Sequence, residues 1–459
     1  MFDLVIASGT IVTVQATFRA DIGVEGTRIA AIGANLVGAR TIDASDRYVI
    51  PGGVDIHVHM QMPAGDGVMS SDTFYSGTRA AALGGTTTVV DFVEPERQES
   101  LLAALAARRA DADPQVVIDY GLHMTIGPSE IAKLEQIPGA YEAGCGSFKL
   151  YTAYDFRLHD GQLMQAFEAI KGVGGLPVIH AENWDVITTL VARNLAAGRT
   201  SPHWHSRSRP ALMEGEAVGR VIDVADFVGV PLHVFHVSCT AAADRISGAR
   251  RRGLPISGET CPQYLFLTQD VYDAPGVEGC LPVCSPPLRP HADQEALWQA
   301  LAGGDLQIVS TDHCPFTRAD KARGLGDFSR IPGGVPSIEM RLAGIYQGVV
   351  RGLFSLNRWV DVCCTGPARL AGLPAKGDIA IGHDADLVVF DPERQMTLSK
   401  AILHERVDWT PYEGLDVYGW PEVVLSRGEV IVEGGECSAA PGRGRFLSRK
   451  PQFSTYPVL

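Results

Sequence analysis

Eight short apolar runs, separated by amphipathic helical stretches, fill the middle of the chain and constrain its fold more than any other feature. The runs lie at 54–59, 86–92, 116–124, 147–151, 177–181, 231–237, 255–260 and 306–312. Helical periodicity appears between most of them, at 71–83, 99–110, 160–173, 214–228, 240–251 and 291–302. Strands that alternate with helices pair in parallel, because each helix carries the chain back to the same end of the sheet. Eight such units over roughly 320 residues predict an α/β fold, a (β/α)8 TIM-like barrel with insertions. A doubly wound sheet is the alternative, but no glycine-rich phosphate loop follows the first strand.

Both ends of the chain have a different texture. Leu4-Val5-Ile6, Thr10–Val14, Ala20–Val24 and Arg28–Gly33 read as hairpin strands, and the pattern returns at 385–391, 422–425 and 430–432. Neither end has enough strands for an independent sheet. They are expected to join into one small β-sandwich, contributed by residues 1–50 and 375–437, with the barrel at 51–374. The basic, proline-rich tail 438–459 is expected to wrap the body or a neighbouring subunit.

The 39 basic residues against 53 acidic ones, a net charge of −14, argue against nucleic acid or an anionic membrane as partner. Nine cysteines without a Cys-x-x-Cys pair suit reduced thiols in a cytoplasm. Cys363-Cys364 and Cys280/Cys284 read as packing residues. Met1-Phe2-Asp3 opens without the basic-then-apolar pattern of a signal peptide, and no apolar run reaches the ~18 residues of a membrane span.

The chemistry is concentrated at strand ends, where (β/α)8 barrels carry their reactive groups. In Pro51-Gly52-Gly53-Val54-Asp55-Ile56-His57-Val58-His59 the apolar residues alternate with Asp55, His57 and His59, so both imidazoles leave the same side of the ribbon and suit one metal ion. The fourth strand carries Lys149. The fifth ends in His180-Ala181-Glu182-Asn183, the sixth in His236-Val237-Ser238, the eighth in Ser310-Thr311-Asp312-His313. Four imidazoles, a carboxylate and a lysine thus converge on one mouth. An ammonium beside divalent ions is strongly disfavoured. A neutral, desolvated lysine can instead add CO2 to form a carbamate, an anion able to bridge two metals. A lysine that snorkels to solvent is the alternative, and the apolar setting of Lys149 argues against it.

With these segments, Gly84-Gly85-Thr86-Thr87-Thr88, Phe148-Lys149-Leu150-Tyr151-Thr152-Ala153-Tyr154, Glu259-Thr260-Cys261 and Ser285-Pro286-Pro287-Leu288-Arg289 complete a set of motifs running nearly end to end. By these motifs the chain resembles the cyclic-amide hydrolases of the amidohydrolase superfamily, specifically the dihydropyrimidinase/D-hydantoinase group. The resemblance implies a binuclear zinc site. One ion would take His57, His59 and Asp312, the other His180 and His236, with carboxylated Lys149 and a hydroxide bridging them. That hydroxide, formed near neutral pH because two dications acidify water, would attack the ring carbonyl. Asp312 would move the proton from nucleophile to leaving nitrogen, and Tyr154 would donate to the oxyanion. Ser285 and backbone groups near 285 and Gly333 would meet the amide edge of the ring. The substrate would be a small cyclic ureide, and the assembly a homotetramer or dimer.

Two segments separate this chain from the group. Ile331-Pro332-Gly333-Gly334 stands where the group has Ile-Pro-Asn-Gly, so a side-chain amide that normally touches substrate is missing. Residues 60–69 are glycine-rich and methionine-lined; Gln61-Met62-Pro63 is like the dihydropyrimidinases. With Phe92-Val93-Glu94 and the loop from Tyr151 to His159, this stretch is expected to shape the pocket for the ring's exocyclic substituent or to serve as packing. His203, His205, His291, His383 and His404 read as bystanders, and His313 as a candidate to support a ligand from behind. Two rival readings stand beside a hydantoin or dihydropyrimidine hydrolase. One is the same chemistry on allantoin, dihydroorotate or another cyclic imide. The other is a non-catalytic scaffold like the dihydropyrimidinase-related proteins, which have lost metal ligands that are all present here.

Overall fold

The eight runs form eight parallel strands, each paired with the next: β1 (Gly53–Asp55), β2 (Thr86–Val93), β3 (Asp119–Thr125), β4 (Ser147–Tyr151), β5 (Leu176–His180), β6 (Leu232–Val234), β7 (Ile256–Thr260) and β8 (Ile308–Val309). The structure, a computed structural model, describes residues 1–65 and 67–451; Asp66 of the methionine-lined loop and the last eight residues of the predicted tail lie outside them. All eight residues of β2 are buried, as expected of a parallel strand covered on both faces. Val54, Ile56, Val90, Phe92, Val178, Phe235 and Ile308 belong to one apolar cluster among the strands.

The ring closes beyond the ends of β1 and β8. Val58 bridges to His313 in parallel, and the His59 N–H donates to the His313 carbonyl at 2.8 Å. Thr311 adds bonds to the Asp55 carboxylate from its N–H at 3.1 Å and its hydroxyl at 2.6 Å. Closure therefore brings the His57/His59 segment against Asp312. It also explains why three strands are shorter than their apolar runs. β1 stops at Asp55 instead of 59, β6 at Val234 instead of 237, and β8 at Val309 instead of 312. His236 and Asp312 adopt φ of 40° and 51°, a left-handed backbone that ends a ladder and turns the side chain inward.

The two termini build a second, nine-stranded mixed sheet. Its seam pairs Tyr48–Pro51 antiparallel with residues 387–390, and Leu4, Ile6, Ile22, Val49, Leu387, Val389 and Leu425 share its core. Pro51 thus belongs to this sheet and Gly53 to the barrel. Gly52 makes the crossing, where a Cβ would strike the Thr87 side chain. Of the tail, residues 444–449 run beside β3 of the same chain: the Tyr120 N–H donates to the Arg445 carbonyl at 2.9 Å and the Leu447 N–H to the Tyr120 carbonyl at 2.7 Å. Among the described residues no helix is long and apolar enough to cross a membrane.

Barrel and sheet are tied by a buried ion cluster. The Lys376 ammonium reaches Asp119 of β3 at 2.7 Å, Asp386 at 2.8 Å and Asp384 at 3.0 Å. Lys376→Met would leave Asp119 to Arg427 at 3.0 Å and Asp384 to Arg28 at 2.8 Å, and would strip buried Asp386 of its one ion-pair partner among the described residues. A loss of about 3–5 kcal/mol in unfolding free energy is expected in denaturant titrations. A loss below about 1 kcal/mol would mean that the three carboxylates are satisfied without it.

Candidate metal and active site

All six predicted ligands line one cavity of about 820 Å³ at the C-terminal mouth of the barrel, together with Tyr154, Ser285 and Gly333. His57 Nε2 and His59 Nε2 each lie 3.1 Å from the same Asp312 oxygen. His180 Nδ1 lies 2.9 Å from His236 Nε2. Ligand atoms of His57, His236 and Asp312 fall within 4.8 Å of one another, so the geometry mixes the two predicted ligand groups into one cluster.

The groups behind the imidazoles determine which lone pairs face inward. His57 Nδ1 sits 2.5 Å from a Glu259 oxygen, whose other oxygen lies 3.3 Å from His233 Nε2. Burial disfavours the Glu259 anion, but His57 and His233 outweigh it and hold the carboxyl down at about 2. His180 Nε2 lies 2.9 Å from Glu182, which also pairs with Arg209. Burial again opposes ionisation there, yet Arg209 and His180 bring Glu182 to about 2. Each carboxylate can only accept, so it takes the N–H of its histidine and leaves the opposite nitrogen with a lone pair toward the cavity. For His57 that nitrogen faces the Asp312 carboxylate at 3.1 Å. Burial opposes a second proton on the ring, but Asp312 and Glu259 outweigh it and raise His57, so either a proton or a metal ion can stand between the two. His59 Nδ1 and His236 Nδ1 have no hydrogen-bond partner among the described residues. Imidazole nitrogens with one carboxylate are a donor set that suits a divalent transition metal.

Lys149 is buried to 1% exposure, and its Nζ lies 4.2 Å from the Phe235 ring centre and 4.7 Å from that of Tyr151. Among the described residues the amine has no carboxylate within ion-pair distance. Burial strips the ammonium of water and brings it down to about 7, against the pull of Asp312, Glu259 and Glu94. It does not snorkel.

Tyr154 has φ 73°, and its ring centre lies 5.1 Å from that of His180. Burial pushes its hydroxyl up, so it stays protonated and able to donate. Ser285 and Gly333 face the cavity on two adjacent loops joined by the Gly334 N–H, which donates to the Val283 carbonyl at 2.9 Å. The two glycines differ. Gly334 has φ 145° and a Cβ there would strike the Cys314 carbonyl, whereas a Cβ at Gly333 would meet nothing nearer than 3.8 Å. The backbone does not require glycine at 333, so its missing side chain is cavity space. The buried Lys321 side-chain nitrogen, which burial lowers to about 7, donates to the carbonyls of Val283 and Pro332, each at 2.7 Å, and so clamps both loops.

Several contributors escaped the sequence reading. Glu259 lay inside a quoted motif without a role, and Arg209 was passed over. Arg209 lines the cavity, but its charge is taken by Glu182. His205, read as a bystander, also lines the cavity and bonds the Cys284 carbonyl at 2.8 Å beside Ser285. His203 and His404 do pair elsewhere, with Asp273 and Glu339. His313 holds Asp72 at 2.9 Å and accepts from the Ser337 N–H at 3.2 Å, so its ring steadies the closing loops and touches no ligand. Met62, Pro63, Gly65, Glu94 and Phe156 line the cavity, as expected of the pocket-shaping loops; Met62 also packs beside Cys314 and Phe316.

Comparison with known proteins agrees with this geometry. The amidohydrolase family model matches residues 48–431. The chain is 45% identical over 456 residues to a D-hydantoinase of Streptomyces coelicolor, covering 97% of each, and 44% identical to one of Geobacillus stearothermophilus, covering 97% of this chain and 96% of the relative. Among solved structures, D-hydantoinase from Bacillus sp. AR9 superposes with a TM-score of 0.94 at 44% identity, over 98% of this chain and 99% of that one. Dihydropyrimidinase from Brevibacillus agri superposes with a TM-score of 0.95 at 41% identity, over 99% of both. The chain belongs to the amidohydrolase family, within the group that contains the D-hydantoinases.

Proposed function

We propose that this hydrolase opens 5-substituted hydantoins or dihydropyrimidines to N-carbamoyl amino acids. The observation that carries the reading is the convergence of four imidazoles, Asp312 and a buried lysine without an ion-pair partner among the described residues in one cavity. His57, His59 and Asp312 would hold one zinc ion, His180 and His236 the other, with Lys149 carboxylated as the bridge. When bound, the two ions supply an acidified water as nucleophile and a Lewis acid for the ring carbonyl.

The chain's own groups do the rest. Glu259 and Glu182 fix the tautomers of His57 and His180. Asp312, held ionised by His57 and His59 despite its burial, accepts a proton and returns it to the leaving nitrogen. The Tyr154 hydroxyl donates to the oxygen on which charge develops. Ser285 and the backbone at 285 and 333 orient the ring's amide edge. The assembly proposed from the resemblance is a homotetramer or dimer, which light scattering would determine.

The test is turnover by zinc-loaded protein of dihydrouracil, hydantoin, 5-phenylhydantoin, allantoin and dihydroorotate. Opening of one or more of the first three is expected, with about two zinc ions per chain. Exclusive turnover of either of the last two would overturn the choice of ring. Dihydroorotate carries a carboxylate, and the cavity's arginine is already paired. Fewer than about one zinc per chain with no ring opening would favour the non-catalytic reading. On the favoured reading, Lys321→Met frees both substrate loops. KM should rise about tenfold with kcat changed less than about threefold, since two hydrogen bonds are lost and each is worth roughly 0.5–1.5 kcal/mol. Equal losses in kcat and kcat/KM would show that Lys321 acts on the chemical step instead.

A further inference from the structure

We propose that Glu94 selects ring substituents bearing a positive charge, so that the substrate class includes cyclic ureides with a cationic exocyclic chain. The inference rests on the ring-opening reading above and names the substituent that this cavity is built to accept.

Glu94 stands just past the end of β2 and lines the same cavity as Met62, Pro63 and Gly65. Among the described residues its carboxylate has neither a hydrogen bond nor an ion pair. The nearest arginine, Arg108, is committed elsewhere: its guanidinium sits 2.5 Å from Asp91 and also donates to the Met60 carbonyl. The other nearby cation is Lys149, and a carbamate there would carry the opposite charge.

The remaining charges of the wall do not compensate. Arg209 is paired with Glu182, and Asp312 is engaged by His57 and His59. Glu94 is therefore the one charged group of the described cavity wall, outside the metal cluster, that no neighbour neutralises. The rest of the surrounding wall is largely apolar, with Met62, Phe156, Trp184, Ile187 and Leu195. An apolar wall with a single free carboxylate fits an alkyl stem ending in an ammonium or guanidinium. The stem buries its methylenes while the head meets the carboxylate. The chain's net charge of −14 adds a long-range attraction for cations and a penalty for anions.

The experiment compares kcat/KM of zinc-loaded protein for three hydantoins of similar length, substituted at C5 with 4-aminobutyl, pentyl or 3-carboxypropyl. The wild type, Glu94→Gln and Glu94→Lys are measured side by side. The readout is the ratio between substrates within one preparation, so incomplete folding or metal loading cancels. In the wild type the aminobutyl substrate should exceed pentyl by about fivefold, the range open to a solvent-accessible ion pair. The carboxypropyl substrate should fall below both. Glu94→Gln should bring the aminobutyl-to-pentyl ratio near one, Glu94→Lys should favour carboxypropyl, and 0.5 M salt should compress the wild-type ratio. A wild-type ratio near one, or a ratio that neither substitution moves, overturns this proposal alone. Failure of the wild type to open any of the three overturns the ring-opening reading and this proposal with it.

Discussion

Lys149→Ala should lose about three orders of magnitude in ring opening while the protein still folds. The amine has no carboxylate within ion-pair distance among the described residues and is enclosed by the Phe235 and Tyr151 rings. Its removal therefore breaks no ion pair, and a change in melting temperature within about 5 °C is expected. The proposed carbamate, by contrast, would be the one side-chain anion serving both metal positions. Its loss removes several kcal/mol of transition-state stabilisation, and about 4 kcal/mol corresponds to about 10³ in rate. Metal analysis should show fewer ions per chain, and millimolar acetate or propionate should restore part of the activity by standing in for the carbamate. Reconstitution carries a pH signature of definite sign. Burial lowers the amine to about 7, so the free base that attacks CO2 dominates above neutrality and the ammonium below it. Below pH 7, at a fixed concentration of dissolved CO2, recovery of metal-depleted wild type should slow by about tenfold per unit. Undiminished activity of the alanine variant would remove the bridging role.

The barrel was legible because its signal is local: each run is apolar through its length, and a helical period follows it. β4 was predicted at 147–151 and forms at Ser147–Tyr151. What was hidden depends on closure. β6 and β8 end early because His236 and Asp312 turn into left-handed backbone, and nothing in Val234-Phe235-His236 marks where a ladder gives way to a site. The candidate ligands were visible because the histidines stand at or just past the ends of β1, β5 and β6, in step with the fold. Their supports were not. Glu259 meets His57 across 202 residues of sequence, and no spacing rule reaches that far. The one available signal was a carboxylate inside an otherwise small and buried strand, Ile256–Thr260. His205 sits in the short helix His203–Arg207 and Arg209 just after it, too short a stretch to show periodicity, and only the folded cavity shows that they face it.

Asp312→Asn should lower kcat by about 10³, within the range of a lost general acid–base group. The substitution keeps the side chain's shape at the point where β8 closes on β1. It removes the negative charge that His57 and His59 approach at 3.1 Å and the ability to carry a proton. These two losses can be separated. If Asp312 serves only to hold metal, the variant should bind less of it, and every substrate should suffer alike once metal is restored. If it also returns a proton to the leaving nitrogen, the loss depends on how much that nitrogen needs one. Rings whose nitrogen departs readily as an anion should lose least, and rings with a weakly acidic N–H should lose most. Plotting log kcat of the metal-replete variant against N–H acidity should therefore give a steeper slope than wild type. A uniform offset at full metal content would confine Asp312 to metal binding and leave the proton to another carrier, for which the Tyr154 hydroxyl in the same cavity is a candidate.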